Sequence, residues 1–298
     1  MMKNIAVVFM SIFFESMPFL LLGSFISAII ETFVSNETIA KIIPKNKVLG
    51  SIVGVLLGFF LPACDCAVIP VSKRLLKKKV PVNVAISFML ASPIINPVVL
   101  LSTYYAFYRT DSKIFWYRLI FGIVVSLIIG IIMGILYGKK DVIINDSDSE
   151  SCCEHCEHDH NHSKENKFVS IFKHTALDFF DVVKFLMFGA LIASLVQVLI
   201  PRSLITTFNN NNILSIMTLM LFAYLISLCS TSDSFVGKSL LSTFTESSIV
   251  AYLLLGPMID IKNTIVLLGN YNKKFVVTLI SLIFTVIFII SALVVNVL

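Results

Sequence analysis

Several cysteines, acids and an amide in this chain sit inside stretches that are otherwise hydrocarbon. Their types set the chemistry available. Cys64-Asp65-Cys66 closes one apolar run and Cys229 closes another. Thiolates bind soft metal ions and metalloids well. Successive side chains of a regular helix turn by about 100°, so Cys64 and Cys66 converge only where the helix unwinds. Pro62 and Pro70 flank the pair and favour such unwinding. Two further segments, Ser92-Pro93-Ile94-Ile95-Asn96-Pro97 and Gly256-Pro257-Met258-Ile259-Asp260, carry proline breaks inside apolar runs. Proline frees a backbone carbonyl, and lipid tolerates that only beside protein or a water-lined cavity. Asn96 and Asp260 follow the breaks, where helix-end dipoles hold ionic groups. The expected substrate path is therefore Cys64, Cys66, Cys229, Pro93, Asn96, Pro97, Pro257 and Asp260.

Glu15 lies ten residues into its apolar run, roughly 15 Å deep at 1.5 Å per residue. An ionisable group at that depth costs several kcal/mol unless paired or hydrated. Proton coupling is the natural role, with Asp181 and Asp233 as further candidates. Asp181 also has Lys184 three residues on, a spacing that pairs charges on one helix face. A polar tract holds Cys152, Cys153, His155, Cys156, His158, His160 and His162. These are ligands for Zn or Cu(I). Their spacing fits no zinc-finger pattern, so the tract reads as a loose chelating or delivery segment.

The elements that position these groups follow from composition. The chain is 57% hydrophobic and 14% charged, against about 25% charged in soluble domains. It reads as an all-α integral membrane protein in a lipid bilayer. The net charge of +5 is flanking charge on membrane segments, and no basic and aromatic stripe suggests nucleic acid. Eight candidate spans run over 5–30, 48–66, 82–107, 119–137, 179–200, 213–229, 248–268 and 275–296, with up to ten as the alternative. The second and sixth are short, and the third and seventh are broken by proline, which is the transporter signal.

The chain also repeats itself at a spacing of roughly 165 residues. Cys64 falls on Cys229, Val71–Leu76 on Val236–Leu241, Ser92–Asn96 on Gly256–Asp260, and Glu15 on Asp181. Two duplicated halves, residues 1–138 and 174–298, flank a polar Cys/His-rich linker, 139–173. Eight simple spans make the repeats parallel; re-entrant segments would invert them. Counting lysines and arginines over eight simple spans places both termini and the linker in the cytoplasm. The run Lys73–Lys79 reads as an anchor to phospholipid headgroups. No nucleotide-binding loop or hydrolase triad is present, so the chain reads as no enzyme. A resident cofactor is not required, and energy would come from an ion gradient or a partner. A thiol oxidoreductase using Cys64 and Cys66, or a metal sensor reading through the linker, are the readings of another class.

The stretches CDCAVIPVSKRLLKKKVPVNVAISFMLASPIINPVVLLSTYYAF and CSTSDSFVGKSLLSTFTESSIVAYLLLGPMIDIKNTIVLLG resemble the predicted permeases that include ArsP-type organoarsenical efflux proteins. The resemblance covers most of both halves. It implies a multi-pass permease of a bacterial inner membrane that exports a thiol-reactive metalloid such as a trivalent methylated arsenical. Cys64 and Cys66 match family cysteines, and Asp65 stands where a small residue is commoner. The Cys/His linker resembles tails of relatives assigned to copper or zinc efflux, which keeps metal export as the alternative.

Overall fold

The computed structural model describes residues 2–33, 46–61, 64–108, 112–138, 142–143, 167–199 and 212–297. These form twelve helices. In the first half they are α1 (Met2–Phe33), α2 (Lys47–Phe60), α3 (Asp65–Lys77), α4 (Val82–Ile95), α5 (Pro97–Phe107) and α6 (Ser112–Tyr137). In the second half they are α7 (Lys167–Leu199), α8 (Asn212–Ile226), α9 (Ser230–Leu240), α10 (Glu246–Met258), α11 (Ile261–Asn270) and α12 (Lys273–Val297). Apart from an isolated bridge between Ile143 and Tyr271, no β-structure occurs among the described residues. Six segments are long and apolar enough to cross a bilayer, namely α1, α4–α5, α6, α7, α10–α11 and α12. The two remaining apolar helices, α2 and α8, are shorter. Each of the eight apolar runs of the sequence thus contains helix.

The two short helices differ from simple crossings in their direction. Along α2, a Cβ added at Gly50 would meet Asn83 and Val84 of α4, at Gly54 Val84 and Ser87, and at Gly58 Ser92. Both residue numbers rise together, so α2 and α4 run the same way. The chain must turn back between them, and α3 makes the return. Ser72 of α3 reaches Met89 Sδ at 3.7 Å, while Leu75 packs on Val80 and Val84, the reverse order. At 14 residues, α2 spans only about 21 Å of the ~30 Å hydrocarbon layer. Helices α2 and α3 therefore form a re-entrant hairpin, with Leu61 and Cys64 at its tip.

The second half repeats the device. Ser215 bonds Ser248 at 2.9 Å, and Phe222 lies 6.2 Å from Tyr252, so α8 and α10 run together. Helix α9 runs back, with Asp233 against Tyr252 and Gly256, and Gly237 against Leu253 and Ile249.

The spanning helices fix how the halves relate. Helix α6 runs antiparallel along the whole of α4–α5, with Gly134 on Asn83, Gly130 on Ser87, Gly122 on Ile94 and Arg118 on Thr103. The start of α4 thus lies at the same end as Tyr137. Tyr137 in turn meets Phe275 and Thr278 at the start of α12. The end of α11 lies there too, since Asn270 accepts from Lys73 Nζ at 2.9 Å. Helices α4–α5 and α10–α11 therefore run in opposite directions, and the halves are inverted. One end of the bundle carries Lys47, the run 73–79, Lys273 and Lys274. The other carries Tyr104, Tyr105, Tyr108 and Trp116, an exposed aromatic belt of the kind found at a membrane interface.

This geometry differs from the expected placement of the linker beside the chain termini. Residue 143 bridges Tyr271 at the basic end, and α12 then runs 25 residues away from it. Each half has three crossings rather than four, so the start of the linker and the carboxyl end lie on opposite faces.

Candidate functional site

Four helices begin in the middle of the bundle, and each starts at a residue that the repeat aligns. Cys64 is the N-cap of α3, Asn96 of α5, Cys229 of α9 and Asp260 of α11. Pro93 does not end α4 but lies buried inside it, and the break falls at Asn96. Pro97 then occupies the first turn of α5, where a missing N–H is harmless. Pro257 is likewise one residue inside the end of α10. The Asn96 side chain accepts from Val98 N at 3.0 Å, and that of Asp260 from Asn263 N at 2.6 Å. Both serve as caps, each satisfying an orphan donor of its helix.

The two hairpin tips meet beside α1. Cys64, Asp65, Cys66, Cys229, Glu15 and Lys262 line one pocket, which also includes Ser227 in the second tip. Its free space is about 10 Å³, room for about one water molecule. Cys66 is buried and Cys64 and Cys229 are half-buried, and all three are free thiols. The ligand atoms of Cys64, Asp65 and Cys66 lie within 4.8 Å of one another, close enough to share one ion. Cys66 Sγ lies 3.9 Å from both Ser16 Oγ on α1 and Asp65 Oδ2. The half-turn that Cys64 makes as an extended N-cap (ψ 170°) lets two cysteines at i and i+2 point to one place.

Charge in this pocket is paired across the halves. Lys262 Nζ stands 3.4 Å from Asp65 Oδ2 and 3.6 Å from Asp260 Oδ2, and all three residues are buried. Asn263 Nδ2 also donates to Asp65 Oδ2, at 3.1 Å. Glu15 lines the pocket but is exposed, so it sits at the rim on the outer surface of α1 rather than inside the bundle.

A second buried polar cluster joins the other hairpin arm to the other broken span. Arg118 is fully buried. Its Nη1 donates to Thr103 Oγ1 and Ser234 Oγ, both at 2.8 Å, and its Nη2 to the Ser230 carbonyl at 3.3 Å. Asp233, one residue before Ser234, accepts from Tyr252 OH at 3.1 Å. Gly256 is needed opposite it, because an added Cβ would lie 2.7 Å from Asp233 Oδ2. Asp233 therefore belongs to this cluster and not to the thiol pocket.

Of the residues expected to form the path, Cys64, Cys66 and Cys229 share a pocket with Glu15. Asp260 joins it through Lys262. Pro93, Asn96, Pro97 and Pro257 shape the broken helices and are not among the residues lining the pocket. The side chain of Asp181 and the ligand tract Cys152, Cys153, His155, Cys156, His158, His160 and His162 lie outside the described residues. Arg118, Asn263 and Ser16 are the additions. Arg118 reads in the sequence as a flanking charge, because the apolar run begins at Leu119.

Inverted hairpins, broken spans and a buried polar pocket between them are the build of a multi-pass membrane transporter, not of an enzyme. The chain belongs to the ArsP_1 family, described as predicted permeases, whose model matches residues 1–297. It is 39% identical over 280 residues to the UPF0718 protein YcgR of Bacillus subtilis, covering 94% of this chain and 93% of the relative. It is 36% identical over 272 residues to a Streptococcus mutans protein named as a subunit of a two-component membrane permease complex, covering 90% and 87%. No solved structure matches the chain.

Proposed function

We propose that this permease exports a thiol-reactive trivalent organoarsenical across a bacterial inner membrane, with Cys64, Cys66 and Cys229 as its ligands. The observation that carries this reading is the meeting of both hairpin tips in one pocket, with three free thiols on it. A methylarsonous acid, CH3As(OH)2, condenses with two thiols to give CH3As(SCys)2 and two waters. Two As–S bonds replace two As–O bonds, both thiol protons leave in water, and nothing is oxidised. A third thiol gives the bound species somewhere to be handed. The pocket holds about one water, so capture requires a hairpin tip to move. Hairpins entering from opposite faces supply one gate per side, the logic of alternating access in inverted repeats.

Export is coupled to protons in this reading. Glu15 at the pocket rim is the first candidate carrier, with Asp233 and Asp181 behind it. Among the described residues, the basic end of the bundle, which faces the cytoplasm in this reading, holds Lys47, the run 73–79, Lys273 and Lys274 against Lys3, Lys113 and Lys238 at the other. The linker then starts in the cytoplasm and both termini lie outside. A second reading, export of copper or zinc, rests on the close donor set of Cys64, Asp65 and Cys66. There the linker tract would deliver Zn or Cu(I) to the pocket. A second subunit is also proposed, as the name of the Streptococcus relative suggests. The exposed apolar faces of α1 and α7, such as Phe14 and Phe188, are where lipid or that subunit packs.

Growth of a transporter-deficient host expressing this chain, across a panel of arsenicals, copper and zinc, tests the reading. Resistance to trivalent methylated arsenicals that disappears in Cys64→Ser/Cys66→Ser is the expected result. Resistance that survives both substitutions sinks it. Deleting residues 152–162 is expected to leave arsenical resistance intact, and a loss confined to copper or zinc would favour the second reading.

A further inference from the structure

Lys262 occupies the second position of α11, where the helix dipole disfavours a cation. It is also buried, near the middle of the bundle where α11 begins. Replacing a buried ion pair with apolar residues commonly costs nothing, so stability alone does not account for a lysine here. Its surroundings suggest another role. The ammonium contacts Oδ2 of Asp65 and of Asp260. Asp65 Oδ2 is also 3.9 Å from Cys66 Sγ, and belongs to the donor set that could hold an ion. An ammonium and a metal ion would therefore compete for the same carboxylate.

We infer that Lys262 sets the substrate class of the thiol pocket. Its ammonium is a tethered counter-ion in the place a transported cation would take, so the site accepts an uncharged metalloid and resists a divalent soft metal. This rests on the thiol-pocket reading above and deepens it. The two chemistries differ in the ligands they need. A methylarsonous acid bonds to two thiols with loss of two waters and no change in net charge, so Lys262 keeps its contacts with both carboxylates. A divalent metal bonding to the same thiols also leaves the net charge unchanged, since two protons leave as two positive charges arrive, but it takes the Asp65 carboxylate as a further ligand and so breaks the contact with Lys262. Breaking a buried ion pair in this way is strongly unfavourable.

The test uses the full chain in lipid nanodiscs with Cys152, Cys153 and Cys156 replaced by Ser, so that only the pocket thiols report. Cd²⁺ alone is the first probe, read by thiolate-to-cadmium charge-transfer absorption. Lys262→Met is expected to tighten Cd²⁺ binding by at least about tenfold, and Lys262→Arg to leave it at the wild-type value. Lys262→Gln serves where the Met variant does not fold. A neutral variant that binds Cd²⁺ no tighter than wild type overturns the inference, as does an Arg variant that gains as much. Monomethylarsonous acid is the second probe, read as a covalent adduct by intact mass spectrometry. An adduct is expected on wild type and on every Lys262 variant. Its absence from wild type rejects the thiol-pocket reading, while the Cd²⁺ comparison still reads Lys262 on its own.

Discussion

At the scale of single residues, Arg118 ties the first half to the second outside the pocket. One guanidinium reaches α5 and α9 from α6 through three acceptors. Removing a buried charge that is bonded in this way costs several kcal/mol, because its partners stay buried and unmet. Arg118→Met is expected to lower the melting temperature in detergent, and Arg118→Lys to restore little of it, since an ammonium cannot reach three acceptors in a fork. A melting curve unchanged in Arg118→Met would remove this role. Asn96→Ala, by contrast, loses a cap worth about 1 kcal/mol and should shift melting only slightly. The chemistry of the pocket was legible in the sequence, since Cys64 and Cys229 recur at one spacing and a thiol inside a membrane run has few uses. What held those thiols was not. Lys262 reads in the sequence as an intramembrane charge, but it, Asn263 and Ser16 come from other helices, and no spacing along the chain links position 65 to position 262. Arg118 was hidden by its place at the edge of an apolar run, where a snorkelling charge and a buried one look alike.

The helices themselves were legible from apolar length, and the breaks from proline. The direction of α2 was not, because hydrophobicity carries no sign. Two signals were present in the stretch. Its apolar run is short, and Gly50, Gly54 and Gly58 recur every four residues, a small-residue stripe that lets two membrane helices approach closely. The stripe faces α4, and at Gly54 an added Cβ would press on the Val84 carbonyl. Backbone cannot yield there as a side chain can, so Gly54→Ala is expected to cost roughly 1–3 kcal/mol. Lower yield and lower melting temperature should follow, while Leu56→Ala, on the exposed face of the same helix, serves as the control. Equal behaviour of the two variants would mean that α2 does not pack as described.

Over the whole molecule the duplication was legible but its sense was not. Four crossings per half and three crossings per half leave the same sequence repeat, and only the direction of the short helices separates them. Three crossings put the linker and the termini on opposite faces. Single cysteines at Lys78 and Lys238, in a chain whose other cysteines are serine, are expected to react with an impermeant maleimide from opposite sides of the membrane. Reaction of both from one side would contradict the inverted arrangement. The central claim is that the pocket between the inverted hairpins carries the substrate on its thiols. Uptake of monomethylarsonous acid into everted membrane vesicles tests it most directly. The account predicts uptake by the wild-type chain and a fall of at least about tenfold, the scale of one lost 1.4 kcal/mol contact, in Cys64→Ser/Cys66→Ser. Uptake undiminished in that variant would contradict it.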